Sequence, residues 1–148
     1  LDIGGDNLMK EYITNSSIDY VSLNYSYGDE NDQRYQCDIV ANAMNMPEVS
    51  TDFYDNVWCF QVLEHVDEPL DLLKESYRIL KPGGRVIFSV PQTNILHEAP
   101  HHFYNFTKYG LKDLFEKAGF EEIEIKPKGG FWLSMANRFF DYIMILQF

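Results

Sequence analysis

Two kinds of hydrophobic pattern alternate along this chain. Short runs of consecutive apolar residues predict buried β-strands, and apolar residues that recur every three or four positions predict amphipathic helices. The predicted strands cover residues 1–3, 18–23, 38–41, 56–60, 85–90 and 123–125. The predicted helices cover residues 7–14, 69–80, 107–118 and 134–148. This alternation predicts an α/β fold with an open, doubly wound and mostly parallel sheet.

Proline, glycine and a candidate cap mark the ends of several predicted elements. Pro69 lies in the favoured first turn of its helix, and residues 81–84, Lys-Pro-Gly-Gly, form a helix stop signal. Thr107 is a candidate cap for the next helix, and Gly119 is its stop. In residues 122–126, isoleucine alternates with charged residues, which predicts a sixth strand with one solvated face.

The acidic balance of the chain narrows its expected partners. Its formal net charge is −11 and its pI is about 4.6. Because nonspecific nucleic-acid binding depends on Lys and Arg that displace counterions from phosphates, we expect no nucleic-acid partner. No apolar run approaches the roughly 18 residues of a transmembrane helix. Cys37 and Cys59 lie in apolar runs and are expected as reduced thiols, as in a cytoplasmic protein.

Polar residues follow most of the predicted strands. In open α/β sheets, ligands bind outside the carboxyl ends of the strands, so these residues are the candidates for function. They occupy positions 2–6, 24, 42–45, 61–65 and 91–94.

Six segments of the chain together resemble one protein family. They are LDIGG, YVSLN, DIVANAMNMP, FYDNVWCFQVLEHVDEP, LLKESYRILKPGGRVIFSVP and HHFYNFTKYGLKDLFEKAGF, in this order. Their order and spacing resemble the class I S-adenosylmethionine-dependent methyltransferases, especially the small-molecule group, over residues 1–126. The resemblance implies a Rossmann-like fold, S-adenosylmethionine as cofactor, and methyl transfer to a small-molecule or lipid-like acceptor by in-line displacement.

The resemblance also implies the organisation of the chain. We expect a single domain, residues 1–148, with a cofactor-binding half at 1–94. Residues 95–148 would supply the acceptor-side loop, two helices and the sixth strand. Because the chain opens inside a strand and stops inside an apolar pattern, we expect a chain truncated at both ends. It would lack part of the first strand and the last strand of the sheet.

The family's motifs imply the cofactor-binding residues at four strand ends. The first motif is an acid followed by glycines that let the backbone approach the cofactor, and the second and third contact the ribose and the adenine. The fourth lies beside the sulfonium and its methyl group. The matching residues are Asp2, Gly4, Gly5, Asn24, Asn42, Ala43, Met44, Phe60 and Gln61.

Three features depart from the family's pattern. Asp6 and Asn7 stand where further glycine is expected, so the first loop is shortened. Asn24 and Asn42 replace acids, and a charged acceptor forms hydrogen bonds about twice as strong as a neutral one. These departures favour an alternative function, a non-catalytic methyltransferase-like binding or scaffold domain. A dinucleotide oxidoreductase is disfavoured, because the G-x-G-x-x-G fingerprint is absent.

The corner at Glu64 and His65 allows several interpretations. The pair could stabilise a turn, or His65 could act as a general base, because its ordinary pKa lies near neutrality. Glu64 and His65 could also bind a divalent metal with a later His. Some small-RNA and quinone-precursor O-methyltransferases show Glu-x-x-Glu-His at this corner. Because Gln61 replaces the first acid of that motif here, we predict no metal site.

The last third of the chain is expected to face the acceptor. The loop after the fifth strand carries His101 and His102, with His97 nearby, and its aromatic residues could equally belong to the core. We predict that His65, His101 and His102 are the catalytic residues. The apolar C-terminal segment could be a homodimer contact, a lid over an apolar acceptor, or core exposed by truncation.

Overall fold

The computed structural model of the protein describes residues 1–13, 17–25 and 36–146. It contains five strands and four α-helices within the described residues, with a 3₁₀ turn at Leu63–His65. The strands are β1 (Asp2–Ile3), β2 (Ser22–Asn24), β3 (Ile39–Val40), β4 (Tyr54–Phe60) and β5 (Leu80–Ser89). The helices are α1 (Asn7–Ile13), α2 (Pro69–Ile79), α3 (Lys108–Ala118) and α4 (Phe131–Leu146).

The strands form one sheet in the order β3-β2-β1-β4-β5, and every neighbouring pair is parallel. Strand β1 is central, since Asp2 lies opposite both Ser22 of β2 and Trp58 of β4. The strand order reverses between β1 and β4, and open α/β sheets bind their ligands at such a reversal. The predicted Rossmann-like parallel sheet is confirmed.

The hydrophobic core joins the sheet to helices α2 and α3. Phe88 of β5 meets Phe115 of α3 edge to face, with ring centroids 5.2 Å apart, and Tyr77 of α2 meets Phe120 in the same way. The buried apolar residues are Ile3, Leu23, Ala41, Met46, Val49, Val57, Cys59, Leu63, Val66, Leu72, Leu73, Ile79, Leu80, Phe106, Leu111, Phe115 and Ala118.

The helix ends follow the predicted signals closely. The Thr107 hydroxyl accepts a hydrogen bond from the Gly110 N–H (3.1 Å) and so caps α3. Gly119 ends that helix with φ +103°, a left-handed conformation that glycine adopts without strain. Helix α2 begins at Pro69 but ends slightly before the predicted stop signal, because residues 80–84 already belong to β5.

Several predicted boundaries are wrong. Residues 123–125 are not a strand, because they pair with no other segment in the part of the chain that the structure describes; the two isoleucines pack against the core instead. Strand β2 begins at Ser22, and Ile18, the predicted start, is exposed. Helix α4 begins before the predicted residue 134. Residues 14 and 147–148 of the predicted helices lie outside the described residues.

Helix α4 presents large apolar side chains to solvent, among them Trp132, Phe139 and Phe140. Of its described side chains, only Arg138 and Asp141 are half-buried. No helix in the described ranges has both the length and the apolarity needed to cross a membrane. The apolar contact surface predicted for this segment stays a prediction.

An ion pair on α2 anchors the segment that follows β3. The Glu75 carboxylate accepts two hydrogen bonds from the Arg78 guanidinium, each 2.8 Å long, and a third from the Met46 N–H (2.7 Å). Arg78 also donates to the backbone carbonyls of Met46 and Val49, both at 2.9 Å. The hydrogen bond from Arg78 lowers the pKa of the Glu75 carboxyl below its ordinary value. This pair therefore stabilises the segment in its ionised form.

We expect Glu75→Gln to lower the free energy of unfolding by about 1–3 kcal/mol at neutral pH, because a charge-assisted pair is lost. The depressed folded-state pKa means that the stabilisation is present above the ordinary pKa and is lost as pH falls through the lowered one. The difference between wild type and variant should therefore shrink with acidification. Urea unfolding from pH 7 down to the lowest pH at which the chain folds measures it.

Asp71→Asn is the matched control. Asp71 lies on the same helix and pairs with Lys74 at 3.2 Å, but both side chains are more than half exposed. Such pairs contribute about 1 kcal/mol or less. A Glu75→Gln effect that stays constant with pH would contradict the role given to the ionised pair.

Candidate functional site

The carboxyl ends of four neighbouring strands meet at one edge of the sheet. The Gly4 N–H donates to the Leu23 carbonyl (2.7 Å), and the Ala41 N–H donates to the Asn24 carbonyl (3.1 Å). These bonds align the ends of β1, β2 and β3. On the other side of β1, Phe60 ends β4. The predicted cofactor-binding residues are thus brought to one edge.

The glycine turn after β1 packs against the turn after β4. Gly4 has φ +79°, and an added Cβ would collide with the Val62 side chain. An added Cβ on Gly5 would lie 2.6 Å from an Asp2 carboxylate oxygen and 2.7 Å from the Tyr20 hydroxyl. Both positions therefore need glycine. The turn packs between Val62, which follows β4, and the Asp2 side chain.

Asp2 is buried beneath this turn. Its carboxylate accepts a hydrogen bond from the Tyr20 hydroxyl, with 2.7 Å between the oxygens. Burial raises the pKa of the Asp2 carboxyl, and the Tyr20 hydrogen bond opposes that rise. Burial and the neighbouring Asp2 also raise the pKa of Tyr20, so its hydroxyl stays a donor. Asp2 consequently fixes the glycine turn from below.

The two asparagines that replace family acids use their side-chain oxygens locally. The Asn24 oxygen accepts from the Tyr25 N–H (2.8 Å), and the Asn42 oxygen accepts from the Met44 N–H (2.9 Å). Ala43 and Met44 are half-buried against the core. Because an amide has only one oxygen, these residues offer a ligand mainly their NH₂ groups.

At the end of β4, the Phe60 side chain is 44% exposed, whereas that of the preceding Cys59 is fully buried. Gln61 adopts φ +54°, uncommon for a residue with a side chain, and its amide donates to the Ser89 hydroxyl (3.1 Å). The strained turn directs the chain from the sheet edge into the 3₁₀ turn at residues 63–65.

The histidine loop, residues 95–106, is tied to this 3₁₀ turn. The backbone carbonyl of Glu64 accepts hydrogen bonds from the N–H groups of Phe103 (2.8 Å) and Tyr104 (3.3 Å). His65 Nδ1 bonds the His101 carbonyl at 2.7 Å. The loop also forms a shallow depression of about 130 Å³, lined by Leu96, His102, Phe103, Tyr104 and Asn105.

Three histidine rings meet between this loop and the 3₁₀ turn, but they are not the three that were predicted as catalytic residues. The ring centroids of His97 and His102 are 4.3 Å apart, and that of His65 lies 4.9 Å from His97. The ring of His101 instead faces Phe103, with centroids 6.4 Å apart. The sequence-based list of catalytic residues omitted His97, and only the loop's path reveals which rings turn inward.

Glu64 is the other residue missing from that list. Its side chain is fully buried, and no other described residue donates a hydrogen bond to either carboxylate oxygen. Burial raises the pKa of the Glu64 carboxyl, against smaller opposing effects of its own backbone N–H and of the histidines. A buried carboxylate without a partner is costly, so this group calls for an explanation.

Comparison with known proteins gives a consistent result. The sequence model of the family described as "Methyltransferase domain" matches residues 1–125. The ubiquinone biosynthesis O-methyltransferase of Pseudomonas savastanoi pv. phaseolicola is 42% identical over 52 residues, which are 35% of this chain and 22% of that protein. The match thus spans less than a quarter of the curated relative's length.

Two solved structures share the fold. A SAM-dependent methyltransferase of Thermotoga maritima superposes with a TM-score of 0.62 at 26% identity, over 82% of this chain and 63% of that one. A SAM-dependent methyltransferase of Archaeoglobus fulgidus gives 0.64 at 19% identity, over 82% and 60%. At its lower identity, the second similarity bears on the fold alone.

We expect Gly5→Ala to lower the free energy of unfolding by about 1–3 kcal/mol, because the new methyl group overlaps the hydrogen-bonded Asp2–Tyr20 pair. Gly130→Ala is the matched control, since no atom lies within 4 Å of its added Cβ. Thermal or urea unfolding measures both. Equal stabilities of the two variants would show that the turn tolerates a side chain at position 5.

Proposed function

The chain belongs to the methyltransferase-domain family, and from this we propose that it binds S-adenosylmethionine and transfers the methyl group to a small-molecule or lipid-like acceptor. The observation that carries the proposal is the edge where β1, β2, the segment after β3 and β4 end together. The strand order reverses there, as it does where open α/β sheets bind ligands.

The residues at this edge fit the cofactor. The glycine turn leaves Gly4 exposed, so that a ligand can approach the backbone closely. Asn24 on the neighbouring strand would contact the ribose, and Asn42, Ala43 and Met44 would surround the adenine. Phe60, which is partly exposed at the end of β4, and Gln61 would lie near the reactive end.

When bound, S-adenosylmethionine supplies a methyl group activated by a sulfonium. The chain's own contribution is then to hold the acceptor in line with that methyl group, and positioning of this kind can supply about 7 kcal/mol of the barrier reduction or more. Of the three predicted catalytic histidines, His65 is best placed to take a proton. Its Nδ1 is fixed by the His101 carbonyl, which leaves Nε2 for an acceptor.

We further propose that residues 1–94 bind the cofactor and that residues 95–148 face the acceptor. The exposed apolar side chains of α4 support a contact with an apolar acceptor or with a second copy of the chain. Cys37 and Cys59 are unpaired, which supports a cytoplasmic location.

A non-catalytic binding or scaffold domain is the second candidate function. It is favoured by the asparagines at positions 24 and 42, whose oxygens already bond the backbone. A domain that folds without binding the cofactor would have no need of acceptors at these strand ends.

Calorimetric titration with S-adenosylhomocysteine tests the proposal. We expect saturable binding that Asp2→Ala weakens at least about tenfold, because the glycine turn loses its support. Asp113→Ala is the control, since Asp113 forms an exposed pair with Lys117 on α3. Circular dichroism establishes that each variant folds. Absence of binding by the folded wild type would contradict the proposal and favour the non-catalytic domain.

Asn24→Asp should tighten that binding by about tenfold, because one carboxylate oxygen can keep the Tyr25 N–H while the other accepts from a ribose hydroxyl. A gain of affinity cannot arise from misfolding. Asn137→Asp adds the same charge on the exposed surface of α4 and controls for net charge. Equal changes in both variants would remove Asn24 from the cofactor site.

A further inference from the structure

The histidine loop and the 3₁₀ turn bring three potential ligands of a metal ion together. One carboxylate oxygen of Glu64 and one ring nitrogen each of His65 and His97 all lie within 4.8 Å of one another. Donor atoms around a tetrahedral ion with bonds of about 2.0–2.1 Å are about 3.3 Å apart, so small side-chain movements would bring this cluster onto an ion.

The Glu64 carboxylate points to a ligand independently of the histidines. It is fully buried, and no other residue in the described part of the chain donates a hydrogen bond to either of its oxygens. Buried charges are normally paired or coordinate metals. Neither Arg78 nor any described lysine pairs with Glu64. Arg78 bonds Glu75, and Lys10 and Lys74 pair with other carboxylates. A cation in the cluster would supply the missing counter-charge.

Both histidines are oriented as metal ligands are. His65 Nδ1 lies 2.7 Å from the His101 carbonyl, and His97 Nδ1 lies 2.9 Å from the Ile95 carbonyl. Because a carbonyl can only accept, each Nδ1 carries the proton, and each Nε2 keeps its lone pair. Histidines that bind metals commonly donate their second nitrogen in this way.

The neighbouring residues support the cluster without joining it. His102 uses both ring nitrogens, since Nε2 donates to the Tyr104 carbonyl (3.1 Å) and Nδ1 faces the His97 N–H (3.4 Å). Gln61 bonds Ser89 instead. The exposed Glu98 carboxylate lies 3.9 Å from His65 Nε2 and adds negative charge at the outer side.

We propose that Glu64, His65 and His97 bind one divalent first-row transition-metal ion, with Zn²⁺ as the representative. Two imidazoles and one carboxylate suit such ions better than Mg²⁺, which prefers all-oxygen sites. Three protein ligands leave a position of a tetrahedral ion open to water or another oxygen ligand. In this ligand set His97 is the later histidine, and Gln61, whose replacement of an acid led the sequence analysis to predict no metal, is not a ligand.

The proposal does not depend on methyl transfer, because metal binding is measured without cofactor or acceptor. An ion on His65 Nε2 would occupy the lone pair that a general base uses, so the two roles exclude each other while the ion is bound. The failure of one proposal therefore leaves the other open to its own test.

Titration of the tag-free, chelator-treated chain with Co²⁺ is the experiment. We expect saturable visible absorption from one ion per chain, displaced by Zn²⁺ and not by excess Mg²⁺. Glu64→Gln and His97→Ala should each weaken Zn²⁺ binding at least about tenfold, as changes within metal sites typically do. His101→Ala is the matched histidine control, because its backbone carbonyl, which His65 uses, remains. It should bind as wild type does.

Two results would overturn the assignment. One is a folded wild type that binds no Co²⁺ or Zn²⁺, which would mean that Glu64 is a neutral buried acid. The other is binding that survives both substitutions, which would place the ion elsewhere. Circular dichroism checks folding, and if Glu64→Gln does not fold, the comparison of His97→Ala with His101→Ala decides.

Discussion

Strand β1 has two residues, and the candidate site depends on its hydrogen bonds to both neighbours. The Asp2 N–H donates to Val21 beside β2, and the Trp58 N–H of β4 donates to the Leu1 carbonyl. Because β1 is paired on both sides, its glycine turn emerges between the ends of β2 and β4. The hydrogen-bonded Asp2 and Tyr20 side chains pack against Gly5 of this turn, and the Val62 side chain packs against Gly4. The edge that carries the candidate site is therefore built chiefly by backbone pairing.

The second half of the site depends on one backbone carbonyl. Glu64 accepts two N–H groups of the histidine loop, and this fixes the loop against the corner after β4. The same residue carries the buried carboxylate that faces His65 and His97. The backbone and the side chain of Glu64 thus have different roles. The backbone carbonyl fixes the distance between the 3₁₀ turn and the histidine loop, and the carboxylate places a negative charge between them.

The sequence predicted the fold well because hydrophobic periodicity and stop signals are local properties. Thr107, Gly119 and Pro69 mark helix ends through interactions within a few residues. The prediction of a sixth strand was wrong because strand pairing is not a local property. The alternation at residues 123 and 125 indicates one solvated face but does not provide a neighbouring strand. The histidine cluster was predicted only in part, because His65 and His102 were named as catalytic residues and His97 was not. His97, His101 and His102 are the same residue type in one loop, so the sequence cannot distinguish them. Only the course of the loop turns His97 and His102 inward.

Arg78 holds the segment after β3 through the backbone carbonyls of Met46 and Val49. These hydrogen bonds go to the main chain, so they do not depend on the identity of the neighbouring side chains. Pro47, Glu48 and Ser50 in this segment are all exposed. Mutations at these three positions can therefore accumulate by drift while the main-chain path persists. The exposed rim of the segment after β3 can consequently change its surface chemistry during evolution with little loss of folding stability.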